Sequence, residues 1–381
     1  MKFPRLALFW ALLFSIATLM AAPVSALAQN GSFDQQWAEL LKKAQQEGKL
    51  VAFICCGIGR GIGKHIGAFE KKYKIKVVFS TGSSRQQADR VLAERRAGRH
   101  SLDVWMGGIT TANTRLLPAQ VIEPIKPLLI HPEVLKKDAW YNGTGPVLMD
   151  PDKNYIVGFR GNGGFASEIT YNIDKVKPED INSFWDLLEP RFRGKIVARD
   201  PSSAGVGQST AMYYLHPQLG PEYLRRLLTE TDITIVKNAR QAAEWLALGK
   251  YSVCMFACSR EVRSLMRQGM PVKDELAKIL KEAPRISVGG GAIWSMKDSP
   301  NPNARTFFIN WWLTREGQLL MQKADGDDSL RVDIPNDGVA KSSLRVKGVD
   351  YWFPEQTANF QEKLGESMDF ARKALVSVGK K

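Results

Sequence analysis

From residue 33 onward the apolar positions of the chain alternate between two rhythms. Trp37, Leu40, Leu41 and Ala44 share one face of a helix over residues 33–48, which Gly48 stops. LVAFI (50–54) is a short unbroken apolar run, the pattern of a buried strand. Ile62, Ile66, Phe69 and Tyr73 then return to helical spacing, so FICCGIGRGIGK (53–64) reads as a strand–loop–helix junction. IKVVFST (75–81) is the next strand. Gly82-Ser83-Ser84 caps a helix that carries Ala88, Val91 and Leu92 and ends near Gly98, and LDVWM (102–106) is a further strand closed by Gly107-Gly108. Strands alternating with helices predict a parallel, doubly wound sheet. Ligands of such sheets sit beyond the carboxyl ends of the strands. The loops 55–63, 82–85 and 107–110 are therefore expected at one place.

A second alternation follows. ASEITYN is a strand, FWDLLEPRFRG a short helix and turn, KIVARDP a strand and SSAGVGQSTAMYYL a capped helix. DITIVKN leads to a helix with Ala242, Ala243 and Leu246 that Gly249 stops; YSVCMFA is a strand, and the chain returns through RISVGGGAIWSM. Two α/β units, the second inserted in the first, predict two lobes with a cleft between them: 30–164 with 288–381, including the C-terminal helices, as lobe 1 and 165–287 as lobe 2. Arg160 and the glycine-rich 161–164 fall where the chain crosses. Phe307, Phe308, Trp311 and Trp312 on one helix, and Phe360, Leu364, Ala371 and Leu375 on the last, read as core stripes.

The first segment changes the picture. Lys2 and Arg5, the apolar run 6–20 and Ala26-Leu27-Ala28 have the form of a cleavable secretory signal peptide over residues 1–28. The mature protein is expected to be exported to the periplasm. The formal net charge is +14, and the cations come as scattered pairs such as Lys71-Lys72 and Arg225-Arg226 rather than as a stripe. Together with export, this disfavours nucleic acid and favours an acidic ligand or an anionic membrane surface. Cys55, Cys56, Cys254 and Cys258 lie in an oxidising compartment where disulfides are allowed. Bonding of Cys254 to Cys258, one cross-pair, or free buried thiols all stay open.

The chemistry of the opening loop is best found by elimination. The residue five before Gly63-Lys64 is Ile58, not glycine, and His65 follows, so the phosphate-binding P-loop fails. The dinucleotide glycine pattern fails as well, surviving only weakly at Gly61, Gly63 and Gly67. What remains is physical: glycines let backbone N–H groups approach a ligand, a helix N-terminus favours an anion, and Arg60 adds a fork suited to carboxylate or phosphate. DPSSAGVG repeats the idea in the second lobe, with Ser202 or Ser203 as the expected cap. C-C and C-x₃-C are poor zinc spacings, the four histidines are scattered, and Gly207-Gln-Ser209-Thr-Ala211 lacks the last glycine of a nucleophile elbow. No acid/base pair argues for an enzyme.

FWDLLEPRFRGKIVARDPSSAGVG and NPNARTFFINWWLTREGQLLMQKADGDDSLRVDIP resemble two stretches of the periplasmic solute-binding proteins of ABC importers, in the ferric-iron-binding-like group. The helix–LVAF–loop–helix–IKVVFSTGSS–helix–DVW pattern is similar too. The resemblance covers essentially the whole mature chain. It implies an α/β, two-lobed, type II periplasmic-binding-protein fold, each lobe a sheet flanked by helices, that closes by a hinge on one solute and delivers it to an inner-membrane ABC permease. Iron binders of the group carry two adjacent tyrosines after the strand that here reads YSVCMFA, a histidine in the first loop and a glutamate after the third strand. This chain has Ala257-Cys258-Ser259-Arg260 at the first place and neither residue at the others. Other members bind phosphorylated or carboxylated organic solutes. The expected ligand is accordingly a small anionic organic solute of carboxylate or phosphate/phosphonate type. Its expected contacts are Cys56, Gly57, Gly59, Arg60, Gly82, Ser83, Ser84, Arg85, Gly108, Arg160, Ser202, Ser203, Ala204, Gly205, Ser259 and Arg260, with Trp105 or Phe256 as walls. Neither a catalytic residue, a resident metal nor a cofactor is expected, and the protein is expected to be a monomer. A receptor for ferric iron or a thiolate-bound metal is the alternative, and an exported enzyme the third reading.

Overall fold

A computed structural model describes residues 24–55, 58–141, 143–163, 169–203, 206–256, 258–274, 280–282, 286–339, 343–345, 351–354, 357 and 359–380. The first 23 residues of the expected signal peptide lie outside them, and the expected cleavage site falls in the first turns of the opening helix. That helix, α1 (Val24–Glu47), is followed by β1 (Lys49–Cys55), α2 (Ile58–Tyr73), β2 (Lys76–Gly82), α3 (Ser84–Arg96), β3 (Val104–Gly107) and the short α4 (Ile109–Thr111). β4 (Ile122–Glu123), α5 (Pro132–Leu135), β5 (Val147–Leu148) and β6 (Ile156–Gly158) complete the first run. β7 (Asn162–Gly163) crosses to β8 (Ile169–Asn172), β9 (Ile196–Arg199), α6 (Gly207–Leu215), α7 (Gly220–Glu230), β10 (Thr234–Val236), α8 (Ala239–Ala247), β11 (Val253–Met255), α9 (Ser259–Met266) and β12 (Val272–Lys273). β13 (Ile286–Ser287) returns to β14 (Ala292–Met296), α10 (Pro302–Leu313) and α11 (Arg315–Asp325), and α12 (Phe360–Ser377) ends the chain.

The first sheet has the order β2-β1-β3-β14-β6-β5, with β4 on β14, and the second β10-β9-β11-β8-β12. Neither is purely parallel, as the strand–helix alternation suggested. β14 runs antiparallel between β3 and β6, and β8 antiparallel beside β11. β14 and β8 are joined to the inter-lobe crossings, so the chain enters them from the other edge, and the edge strand β5 runs antiparallel to β6 as well.

Each sheet has its own apolar centre. In the first lobe the α2 and α10 stripes interlock: Phe69 packs on Trp311 with ring centroids 4.4 Å apart, and Trp37 of α1 stacks on Phe307 at 4.4 Å. Aromatic residues of this size each remove a large apolar area from water and dominate core energetics. At the pole away from the crossing, buried Asp103 accepts hydrogen bonds from Val51 N (2.7 Å), Asn301 N (2.9 Å) and Asn301 Nδ2 (2.9 Å), tying β1, β3 and the start of α10 together.

The last helix corrects the expected lobe boundary. Ala371, Ala374 and Leu375 of α12 are buried in the core of the second sheet, and Phe370 packs against Tyr214 of α6. A Cβ at Gly207 of α6 would lie 2.5 Å from Met368 Sδ, so glycine lets the two helices approach. α12 thus packs with the second sheet rather than with the first lobe to which the sequence assigned it. A helical stripe shows that a face is buried, but not against which partner.

Candidate ligand cleft

The strand register fixes which edges of the sheets border the hinge. Ala292 pairs with both Gly107, the end of β3, and Gly158, the end of β6, so the chain leaves the first sheet from its carboxyl edge. β8 begins at Ile169 opposite Met255, the end of β11, so the chain enters the second sheet at its carboxyl edge too. Between them β7 and β13 form a two-stranded antiparallel ribbon, and Ile286 N donates to Trp352 O (2.9 Å) in the third crossing. The carboxyl ends of β1, β2 and β3 and those of β9, β10 and β11 therefore flank one hinge, the place where a doubly wound sheet takes a ligand.

At the first edge, Gly82 and Cys55 end β2 and β1 side by side. Ser83 is the N-cap of α3, yet its side chain makes no capping bond, and no acidic residue stands in the first turn. Ser84 Oγ is buried without a hydrogen-bond partner. Arg85 is exposed, and its carbonyl, not its side chain, receives Arg115 Nη1 (3.4 Å). Gly108 lies against the hinge: a Cβ there would sit 3.5 Å from Gly289 O. Gly59 and Arg60 belong to the first turn of α2, which starts at Ile58, earlier than the glycine-rich loop suggested. Cys56, Gly57 and the side chain of Arg60 lie outside the described residues.

At the second edge the expected serine cap is not made. Ser202 Oγ donates to Asp200 Oδ1 (2.6 Å) and Ser203 Oγ to Asp200 O (2.8 Å), folding the DPSS turn onto its own aspartate. α6 starts later, at Gly207, with Val206 as its N-cap and no side-chain cap. Ala204 and Gly205 lie outside the described residues. Ser259 opens α9 and is buried; Arg260 follows in the helix, with its side chain outside the described residues. The sequence reading overlooked Arg199, the last residue of β9. It is half-buried, its Nε is buried without a hydrogen bond, and no described residue pairs with its guanidinium. Its signal in the sequence is a cation closing the apolar run IVA (196–198) immediately before a cleft loop.

Three expectations are corrected. Arg160 is turned into the hinge: its Nη1 pairs with Asp327 and its Nε donates to Val288 O (3.3 Å), while only 8% of the residue is exposed. Trp105 and Phe256 do not wall the cleft. Trp105 is sandwiched between Phe53 (4.5 Å) and Trp294 (5.5 Å), and Phe256 packs on Tyr213 (5.1 Å); both are fully buried. The thiolate-metal reading fails because Cys254 and Cys258 are joined in a disulfide across a Cα separation of 6.2 Å, and Cys55 is disulfide-bonded as well. Among the described residues, no group of three histidine, cysteine, aspartate or glutamate side chains could hold a metal ion.

Behind the cleft, at the hinge, burial pushes the Asp325 carboxyl up to about 7; Arg160 pulls it down, and neighbouring Asp327 adds repulsion. Asp325 Oδ2 is buried without a hydrogen bond.

A relative from Haemophilus influenzae, described as an uncharacterized protein, is 25% identical over 380 residues, 95% of this chain and 96% of its own. Among solved structures, the Trichodesmium IdiA/FutA protein in complex with iron and citrate shares the fold at a TM-score of 0.62 and 17% identity, covering 88% of this chain and 100% of that one. The Mannheimia haemolytica ferric iron-binding protein A in an open conformation matches at 0.58 and 16%, covering 87% and 98%. The two-lobed architecture is thus shared with these two binding proteins. The family model described as bacterial extracellular solute-binding protein matches residues 62–324, a span that runs from α2 to α11 and takes in the second sheet and every strand of the first but β1. Because that match covers most of the chain, the chain belongs to the bacterial extracellular solute-binding proteins.

Proposed function

We propose that the protein is the periplasmic receptor of an ABC importer, capturing a small anionic organic solute with a carboxylate, phosphate or phosphonate head and handing it to an inner-membrane permease. The observation that carries this reading is the N-terminus of α3 at the cleft edge. Its cap residue, Ser83, offers no side-chain bond, its first turn holds no acid, and the hydroxyl of Ser84 is buried without a partner. Helix N-termini attract acidic side chains because the peptide dipoles sum to positive charge there; this one is left open, a ready anion site. α2 and α6 likewise have no acid in the first turn, and the start of α6 has no side-chain cap. Amides from both lobes, with the hydroxyl of Ser84, can then bind one head group only when the lobes approach, which couples capture to hinge closure. The leader at residues 1–28 supports export to the periplasm, and the solute is taken up by a single chain.

Ferric iron is the second reading. It is favoured by the likeness to proteins described as iron-binding, one of them in complex with both iron and citrate. Native mass spectrometry of protein isolated from its own compartment separates the two. A retained mass of a small organic acid is the expected result. A retained iron atom without an organic acid overturns the anion reading.

A further inference from the structure

We infer that Arg199 is the residue of the second lobe that neutralises the ligand, meeting the oxyanion head through its guanidinium when the cleft closes. This rests on the anion-receptor reading and adds to it a named counter-charge. The position comes first. Arg199 is the last residue of β9, paired in register with Val236, the last residue of β10, and β9 lies between β10 and β11 at the carboxyl edge that borders the hinge. Its neighbours confirm that the site is enclosed: Val197, two residues back on the same face, is fully buried with Cys254 and Cys258.

The bonding comes second. A half-buried guanidinium carries five donors in a fixed fork, and leaving such a group without acceptors away from water is costly. Other well-buried arginines here each have an acid partner, although Arg305 Nε and Arg345 Nη1 are also buried without a hydrogen bond. Arg331 meets Asp333 through Nε (2.9 Å) and Nη2 (2.8 Å), Arg345 meets Asp328 (2.9 Å), and Arg305 pairs with Glu123. Arg199 has none of this: its Nε is buried and unbonded, and no described acid lies within ion-pair distance. The adjacent Asp200 is turned away, accepting from Ser202 N (2.9 Å) and from both serine hydroxyls of its turn through its side chain and carbonyl. A planar fork held ready beside a cleft, with its nearest acid occupied elsewhere, matches a carboxylate or phosphonate supplied from outside, which an arginine can grip through two parallel hydrogen bonds.

The test uses Arg199→Gln and Arg199→Lys beside the unaltered protein. Inorganic phosphate, methylphosphonate and succinate are titrated by calorimetry, and the melting temperature is recorded with and without each probe. The unaltered protein is expected to bind at least one probe. Arg199→Gln is expected to bind it at least tenfold more weakly, with Arg199→Lys between the two. Removing an unpaired charge should leave the ligand-free melting temperature unchanged or raised, while the ligand-induced rise is lost. Which probe binds distinguishes a phosphorus oxyanion from a carboxylate. Equal affinity of Arg199→Gln and the unaltered protein overturns the role of Arg199 alone. A lowered ligand-free melting temperature in both variants also overturns it, in favour of a structural role. Failure of the unaltered protein to bind any probe overturns the anion reading with it.

Discussion

The guanidinium of Arg160 pairs with the carboxylate of Asp327 where the chain leaves the first lobe, with side-chain exposures of 10% and 19%. The ion pair joins β6 to the segment after α11, and it is reinforced by Gly161 N donating to Asp328 O (2.8 Å) and Phe159 N to Gly291 O (2.9 Å). Gly291 is required there: a Cβ would come within 2.3 Å of Arg160 Cβ. Breaking a buried pair strands its partner in low dielectric. Arg160→Met is therefore expected to lower the unfolding free energy by about 2–4 kcal/mol, measured by urea denaturation, and Asp327→Asn in the same chain should restore part of it. Unaltered stability with lost ligand affinity would return Arg160 to the ligand-binding set that its place in the sequence suggested.

The same cluster sets a pH dependence. Asp325, whose ordinary value is 3.8, titrates at about 7 in the fold, because burial disfavours its charge by more than Arg160 favours it, and Asp327 adds a smaller repulsion. Between those values the folded protein holds a proton that the unfolded chain has released. Stability from this group is complete below about 4 and is lost as pH rises through about 7. Asp325 is partly open to solvent, so the screened loss is about 1–2 kcal/mol. Denaturation midpoints recorded from pH 5 to 8.5 should fall with pH, and Asp325→Asn should flatten that part of the curve. A variant with the slope of the unaltered protein would place the titrating group elsewhere.

What the sequence revealed followed periodicity. The strands at 50–54, 75–81 and 102–106, the helices through Phe69, Val91 and Trp311, and the described part of the crossing up to Gly163 stand where apolar spacing and glycine put them, since those signals act within a few residues. Three features were not legible, the first two because they depend on distant partners. β14 and β8 run antiparallel because the chain reaches them through the hinge. α12 covers lobe 2 because α6 presents Gly207 to it. The serines of DPSS turn onto Asp200 rather than capping α6, since a local Asx-type turn competes with the cap. At the site, an open helix end was foreseeable, whereas the difference between Arg160, which is paired, and Arg199, which is not, required the fold.

Asp103 offers a direct measure of how far the first lobe depends on one polar residue. It is fully buried and its two oxygens receive Val51 N, Asn301 N and Asn301 Nδ2, together with Ser299 Oγ. Asp103→Ala orphans two buried backbone donors at once, and each costs about 1–3 kcal/mol. A loss of about 3–5 kcal/mol in calorimetric or denaturant unfolding is expected. Asp103→Asn, which keeps one acceptor, should lose less. An alanine variant within experimental error of the unaltered protein would show that water replaces the carboxylate.

The disulfide between Cys254 and Cys258 encloses the rim of the second lobe, and within its loop Phe256 holds a φ of +61°, a left-handed conformation that a bulky side chain seldom adopts. Phe256 is nonetheless fully buried, so packing against Tyr213 and the covalent loop together hold the turn that leads from β11 into α9. Replacing both cysteines by alanine should cost about 2 kcal/mol, the chain-entropy value for so short a loop. The loss should appear as a lower melting temperature and as faster proteolysis at the β11–α9 turn, with ligand affinity reduced because the first turn of α9 loses its anchor. The unaltered protein, denatured without reductant, should show no free thiol, since none of the described cysteines is free. Full thiol reactivity in that assay, or a double variant as stable as the parent, would remove the disulfide from the account of the cleft.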